Sequence, residues 1–267
     1  MKKNYWLLLA LSVSITACTK NNNSAEQGTA LLKVVSTSTA PNTFSIIQEY
    51  SYDDLLRVKE IKEGGGNNPV LRKRYTYANN KILLRVFDNN GAEQSYAAVD
   101  YTLNAAGMVE EYYSSNYGFR NLYEYNEGGF IKKVQYFRNG QPEGYQIYHY
   151  SGNNLLDSIS NYENNNTKAY VSIFTYDMNQ RNTTGTVNSG MSMFGKSQAF
   201  ALKNEIRISN SLPGGMNQRL KYFEDDYGHT YDSRNRISET TIIRTNYSYP
   251  GAVKTTTLLA IKAFTYQ

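Results

Sequence analysis

The residues able to do chemistry are few, and most of them are carboxylates. Acidic side chains run together at Asp53-Asp54, Glu110-Glu111 and Glu224-Asp225-Asp226, with Asp232 close behind the last run. Two carboxylates held roughly 5–10 Å apart across a cleft can hydrolyse a glycosidic bond. Adjacent residues along a strand face opposite ways, so adjacent acids in these runs do not make such a pair locally. Solvated turn and edge positions are the simpler expectation. Asp225, Asp226 and Asp232 have the oxygen chemistry of a weak site for a hard cation such as calcium, but their spacing fits no established loop and no metal site is assigned. The chain has two histidines, His149 and His229, and one cysteine, Cys18. That inventory leaves no Cys/His metal cluster and no cysteine nucleophile beyond the N-terminus. Nothing resembles the nucleophile elbow of a serine hydrolase. No catalytic residue and no cofactor is expected.

Cys18 has a different use. Lys2 and Lys3 precede the apolar run Tyr5-Trp6-Leu7-Leu8-Leu9-Ala10-Leu11, which is too short to span a bilayer but suits a secretory signal. Ile15-Thr16-Ala17-Cys18 follows and resembles the bacterial lipobox. The resemblance implies cleavage before Cys18 and acylation of that cysteine, so that the mature chain is anchored by lipid. Losing Lys2 and Lys3 with residues 1–17 lowers the formal charge from +5 to +3. The remaining basic residues are spread along the chain and form no nucleic-acid footprint. Residues 18–30 read as a lipidated, polar tether, and residues 31–267 as one domain.

That domain is repetitive, and the repeat is the element that must position everything else. Its unit is aromatic-x-aromatic, a turn former, then a strand led by an apolar or Arg residue. Its second slot falls at Tyr52, Tyr77, Leu103, Tyr125, Tyr150, Tyr176 and Tyr231, with spacings of 25, 26, 22, 25, 26 and 55. The double-length last spacing suggests that one copy has degenerated or been replaced. The first slots are Tyr50, Tyr75, Tyr101, Tyr123, Tyr148, Phe174 and His229, and Phe264-Thr265-Tyr266 closes the chain with half a unit. His229 is read as a ring replacing a ring, and His149, between two aromatics, as solvated. Residues i and i+2 of a strand share a face, so each dyad lays two rings side by side. Asp, Asn or Ser after the dyad starts a turn. Gly107, Gly129, Asn154 and Asn235, four residues past the second slot, suit a positive φ. Each unit is then a β-hairpin of ~25 residues. Leu, Ile, Val and Phe make up only roughly a fifth of the chain, and the 25 Tyr supply the missing apolar area. From Asn182 to Phe223 the pattern lapses, and a short helix or an irregular plug is expected near 190–215.

The unit Tyr-Asp-x-x-x-Arg-(Val/Ile) resembles the tyrosine–aspartate (YD) repeat of Rhs toxins and teneurins. The match is best at Tyr52-Asp53-Asp54-Leu55-Leu56-Arg57-Val58 and Tyr231-Asp232-Ser233-Arg234-Asn235-Arg236-Ile237. Those families carry Gly before the Arg, where this chain has Leu56 and Asn235. The chain is also similar to exported lipoproteins of unknown function built on such hairpins. The resemblance implies an all-β fold of consecutive antiparallel hairpins, curving into a barrel-like or half-open sheet too small to enclose a protein domain. It transfers no catalytic residue.

The expected function is therefore a non-catalytic binding or structural module. It would be held by lipid on Cys18 at the outer membrane of a Gram-negative bacterium, facing periplasm or surface. Its candidate ligand wall is the aromatic ladder of Tyr50, Tyr52, Tyr75, Tyr77, Tyr101, Tyr123, Tyr125, Tyr148, Tyr150, Phe174, Tyr176 and Tyr231, suited to a glycan or an apolar small molecule. The alternatives are a periplasmic carrier of lipid or other apolar molecules and a carboxylate-dependent glycoside hydrolase. A membrane-spanning barrel fits poorly, because charges interrupt strands such as Ile131-Lys132-Lys133-Val134.

Overall fold

The computed structural model describes residues 30–38, 44–65, 68–152, 154–185, 191–209, 220–248 and 253–266. The expected signal peptide, Cys18 and all of the tether before Ala30 lie outside them. Among the described residues there are sixteen strands, each pairing antiparallel with its sequence neighbours. They are β1 (Leu31–Ser38), β2 (Phe44–Tyr52), β3 (Val58–Gly65), β4 (Asn68–Ala78), β5 (Lys81–Phe87), β6 (Val99–Leu103), β7 (Val109–Ser114) and β8 (Phe119–Tyr125). β9 (Ile131–Arg138), β10 (Gln141–Tyr150), β11 (Leu156–Glu163), β12 (Lys168–Arg181), β13 (Phe200–Ser209), β14 (Leu220–Tyr231), β15 (Ile237–Ser248) and β16 (Val253–Tyr266) follow. β1 pairs with β16, so the sheet closes into a barrel. Closure removes the free edges on which an open sheet aggregates. The dyads sit at the ends of the even-numbered strands, and all of them therefore point to one end of the barrel.

Turn chemistry explains the Tyr-Asp-x-x-x-Arg spacing. Asp53 Oδ1 accepts the backbone N–H of Leu55 at 3.0 Å and of Arg57 at 2.9 Å, and Asp232 Oδ1 accepts those of Arg234 and Arg236, both at 2.9 Å. The other carboxylate oxygen takes the Arg Nε at 2.8 Å in the first turn and 2.7 Å in the second. Burial alone would raise the Asp53 pKa, but the side-chain and backbone hydrogen bonds from Arg57 outweigh it and hold the carboxyl below its usual value. The fixed guanidinium then covers the second-slot tyrosine of a neighbouring dyad strand: Arg57 lies 4.0 Å from the Tyr77 ring centroid, and Arg236 lies 4.5 Å from that of Tyr266. The residue before the Arg is left-handed, with φ of 58° at Leu56 and 59° at Asn235, and Gly107, Gly129 and Asn154 take the same role at 75°, 80° and 57°. After the turn the return strand carries one extra residue. Tyr52 faces Val58 while Ser51 faces Glu60, leaving Lys59 as a bulge. The same shift follows the dyads that end at Leu103, Tyr125, Tyr150 and Tyr231.

A second recurring bond joins one unit to the next. Pairing between β3 and β4 stops at Glu60↔Arg74, two residues short of Val58. The Val58 carbonyl instead accepts the Tyr77 hydroxyl at 2.8 Å. Three residues past the last paired position, the same bond recurs from Tyr125 to the Val109 carbonyl at 2.8 Å, Tyr150 to Ile131 at 2.7 Å, Tyr176 to Leu156 at 3.0 Å and Tyr266 to Ile237 at 2.7 Å. Tyr52 makes it to Leu31. A buried carbonyl left unpaired costs ~1–3 kcal/mol, so each hydroxyl completes the ladder where the backbone cannot. Leu103 has no hydroxyl and breaks the series.

The structure corrects two expectations. No unit is missing between Tyr176 and Tyr231: the spacing of 55 is one return strand, β13, with a long connection at 182–199 before it. Among the described residues the expected helix or plug at 190–215 is narrower, because Phe200–Ser209 is strand and the helical content is one 3-10 turn at Ser192–Phe194; residues 190 and 210–215 lie outside the described residues. His229 also sits one step from its assigned slot. Pairing of β13 with β14 ends at Asn204↔Asp226, so His229 stands where the second aromatic stands elsewhere. Its Nε2–H donates to the Leu202 carbonyl at 2.7 Å, which leaves Nδ1 to accept from the Thr240 hydroxyl at 2.9 Å. A ring does replace a ring, and an N–H replaces the phenol O–H.

Removing the Tyr125 hydroxyl (Tyr125→Phe) is expected to lower unfolding free energy by about 1–2 kcal/mol. The exposed Tyr113→Phe should change it by less than about 0.5 kcal/mol, and urea unfolding of both variants checks the contrast. Leu56→Gly relieves the left-handed strain and is expected to raise the urea midpoint, by about 0.5–1 kcal/mol of stability. A fall would show that Leu56 packing outweighs its backbone strain.

Candidate binding lumen

In a closed barrel, alternate side chains face inward. Cross-strand register fixes which ones: Tyr50 faces Ile61 and Ile61 faces Lys73, while Glu49 faces Lys62 on the other side. The dyads face inward, because the described parts of the connection, 182–185 and 191–199, pack on them and reach across several strands. Phe194 meets Tyr101 edge-on at 5.6 Å between centroids and Tyr123 at 6.3 Å. Met193 is buried with Ile82, Leu84, Val99, Tyr101 and Val109. The segment is tied across several strands. Lys196 N–H donates to the Gly129 carbonyl at 3.0 Å, Leu156 N–H to Gln198 Oε1 at 2.7 Å, and Ile237 N–H to Thr183 Oγ1 at 2.8 Å. Gly195 has φ 85°, and a Cβ there would lie 2.7 Å from the Gly129 carbonyl oxygen and 2.9 Å from the Tyr125 ring. Only glycine lets the plug approach so closely. The barrel encloses a piece of its own chain.

The lumen beyond the plug is more polar. On β2–β4, Glu63 accepts from Gln48 at 2.6 Å and from Lys73 at 2.9 Å, and the Tyr50 hydroxyl donates to Gln48 at 3.3 Å. On β10–β11, Tyr148 donates to Gln146 at 3.0 Å and Gln146 to Asn161 at 2.6 Å. On β13–β15, Asp225 and Glu205 face each other in register. Arg244 grips Asp225 with Nε at 2.7 Å and Nη2 at 2.6 Å, and Arg207 reaches Glu205 at 3.4 Å. Phe223 carries both guanidinium groups, Arg244 at 4.0 Å and Arg207 at 4.6 Å from its ring centroid. The described connections 115–118, 139–140 and 164–167 at this end hydrogen-bond to themselves or to the next connection.

The outer wall has a different character. From β1 to β9 it carries ion pairs: Lys33 and Lys62 with Glu49, Arg72 and Arg74 with Glu60, Arg85 with Asp100, Arg120 with Glu111, and Lys133 with Glu124. Such exposed pairs add little stability, but a lipid-facing band would pay about 2–4 kcal/mol for each basic residue at its centre.

The sequence-predicted residues fall into place unevenly. Tyr50, Tyr52, Tyr75, Tyr77, Tyr101, Tyr123, Tyr125, Tyr148, Tyr150, Phe174, Tyr176 and Tyr231 share the inner wall, as the register shows. Near the plug, however, their rings and hydroxyls are engaged in the barrel itself. Asp225, Asp226 and Asp232 do not converge: Asp225 is held inside by Arg244, Asp226 faces outward beside Asn204 at 2.9 Å, and Asp232 caps a turn. Asp53 caps a turn, and Glu111 is paired on the outer wall. Cys18 lies outside the described residues. Sequence reasoning missed Glu63, Lys73, Glu205, Arg207 and Arg244. Their only signal was alternation with apolar residues on return strands, which does not say which face is the lumen.

Burial raises the phenol pKa of the inner tyrosines from 10.0, to about 12 at Tyr75 and Tyr148, where neighbouring phenolates and, for Tyr75, Glu63 add to the effect. Tyr52, Tyr77, Tyr125, Tyr150 and Tyr176 are raised further by the same cause. The folded pKa lies above the unfolded one, so this contribution is complete below pH ~10 and is lost as pH rises through the folded value. Absorbance titration of phenolate is expected to show the inner tyrosines ionising above their ordinary pKa of 10.0, in a cooperative step that coincides with loss of β-sheet circular dichroism. Ionisation of these inner tyrosines near pH 10 with the sheet intact would contradict the inner packing.

No protein-family model and no curated protein matches the chain. Solved structures do match it. The chain is similar to a porin-like protein from Bacteroides uniformis ATCC 8492, with TM-score 0.64 and 13% identity, covering 89% of this chain and 98% of that one. It is also similar to a porin-like protein from Bacteroides vulgatus ATCC 8482, with TM-score 0.55 and 12% identity over the same shares. At that identity the likeness establishes an all-β barrel fold and no more.

Proposed function

We propose that this chain is a non-catalytic, lipid-anchored binding barrel of the outer membrane, and that it holds a small glycan in the lumen beyond its plug. The observation that carries the reading is a closed barrel filled at one end by residues 182–185 and 191–199 of its own chain and lined at the other by tyrosines with polar and charged partners. A conducting pore is disfavoured by the plug, and embedding in lipid by the ion pairs along β1–β9. A carrier of apolar molecules is disfavoured because Glu63, Lys73, Glu205, Arg207, Asp225 and Arg244 face the lumen, and burying such groups against an apolar ligand is costly. Glu205 and Asp225 form an acid pair in register, but both are engaged by guanidinium groups, which suits a balanced structural cluster better than a general acid and base. The anchor follows from the lipobox-like Ile15-Thr16-Ala17-Cys18. Thr19 after Cys18, in place of the Asp that favours inner-membrane retention, supports the outer membrane.

Three measurements test the reading on the full-length protein. Labelling cells with alkyne-palmitate is expected to tag the wild type and not Cys18→Ser. Calorimetry with a glycan panel is expected to show binding without release of hydrolysis products. Planar bilayers are expected to show no steady conductance. Stable single-channel currents would overturn the plugged-barrel reading, and sugar release at a catalytic rate would overturn the non-catalytic one.

A further inference from the structure

A cavity of about 200 Å³ opens on β12–β14 and is lined by Tyr170, Arg207, Ser209 and Tyr222. Tyr170 pairs with Ser209 across β12 and β13, while Arg207 pairs with Phe223 across β13 and β14. Tyr222 is the extra residue where β14 bulges, and it is 60% exposed. The two tyrosines are therefore about two strand spacings apart, ~10 Å. Within that gap the Arg207 guanidinium lies over the Tyr170 ring, so the exposed Tyr222 is the aromatic surface left to a ligand.

Arg207 forms the floor and is held rigidly. Its guanidinium carbon is 4.6 Å from the Tyr170 centroid and 4.6 Å from the Phe223 centroid. Nε donates to Ser172 Oγ at 3.3 Å and Nη2 to Glu205 Oε1 at 3.4 Å, both long bonds. Ser172 Oγ in turn donates to the same Glu205 oxygen at 3.0 Å. A guanidinium has five N–H groups, so most of the fork remains available to a ligand. Its charge is balanced by Glu205, and that of Arg244 by Asp225 at 2.6 Å, so the cluster has no net positive charge to recruit an anion.

Stiff donors, an aromatic wall and balanced charge select a neutral, hydroxyl-bearing ring. We infer that this cavity is a subsite for one neutral pyranose ring, stacked on Tyr222 with its hydroxyls accepting from Arg207. The volume agrees, since it falls below the ~300 Å³ at which pockets for drug-sized ligands begin. This inference rests on the glycan-binding reading above and gives it a location.

Calorimetric titration of the full-length protein with maltotriose, cellotriose and mannotriose, and with trigalacturonate as the acidic comparison, tests it. At least one neutral trisaccharide is expected to bind more tightly than trigalacturonate. Tyr222→Ala, at an exposed position, should weaken it about tenfold or more, and Arg207→Lys, which keeps the charge but loses the fork, should weaken it as well. Tyr113→Ala on the outer wall should leave it unchanged. Binding that survives Tyr222→Ala, or that favours trigalacturonate, overturns the subsite and leaves the glycan-binding barrel standing. Absence of binding by the wild type to any of these sugars overturns both.

Discussion

A tyrosine hydroxyl donating to the backbone carbonyl just past the end of a β-ladder is the bond on which the rest of this barrel depends. Strand pairing between units ends two residues before that carbonyl, because the bulge after each turn and the stagger of the hairpins carry the strands out of register. Without the phenol, each unit would leave a buried acceptor unmet beside the plugged end. The Asp-capped turns supply the companion contact, an arginine held by its own Asp and laid over the ring whose hydroxyl makes the bond. In the Asp53 and Asp232 turns ring, hydroxyl, carboxylate and guanidinium thus form one device, while the ring-to-carbonyl bond alone recurs more widely, and His229 shows that this bond needs a flat ring with a hydrogen-bond donor more than it needs tyrosine.

The device also explains how so few aliphatic residues close so many strands. Around the plugged end the tyrosines serve as core, with the Met193-Phe194 turn filling the space among Tyr101, Tyr123 and Val109. Beyond that, the inner wall becomes polar because no described chain segment fills it and its side chains must satisfy one another. Two balanced clusters result, around Glu63 and around Asp225. The second lies beside the cavity that carries the proposed sugar subsite. The same polypeptide is thus a packed domain at one end and a lined vessel at the other.

Much of this was legible in the residues. The aromatic-x-aromatic period foretold hairpins, their turn positions and a shared ring face, because strand alternation and left-handed turn residues are local properties. The lapse near 190 foretold an irregular plug. The supposed missing copy arose because a long connection and a lost repeat look the same in spacing alone. His229 was placed one slot early because its hairpin register and its inter-unit register differ by two residues, a difference visible only when the neighbouring strand is present.

The sequence by itself determined the repeat, the turns and the side of each strand on which the rings lie, since each depends on residues within one hairpin. Tertiary structure alone decided that β1 meets β16, that the ring face is the inside, and that Glu205 and Arg207 on one strand meet Asp225 and Phe223 on the next. Closure depends on curvature and stagger accumulated over all sixteen strands, and no local pattern encodes that sum. Which charges share the lumen follows from closure, and so does any site they build.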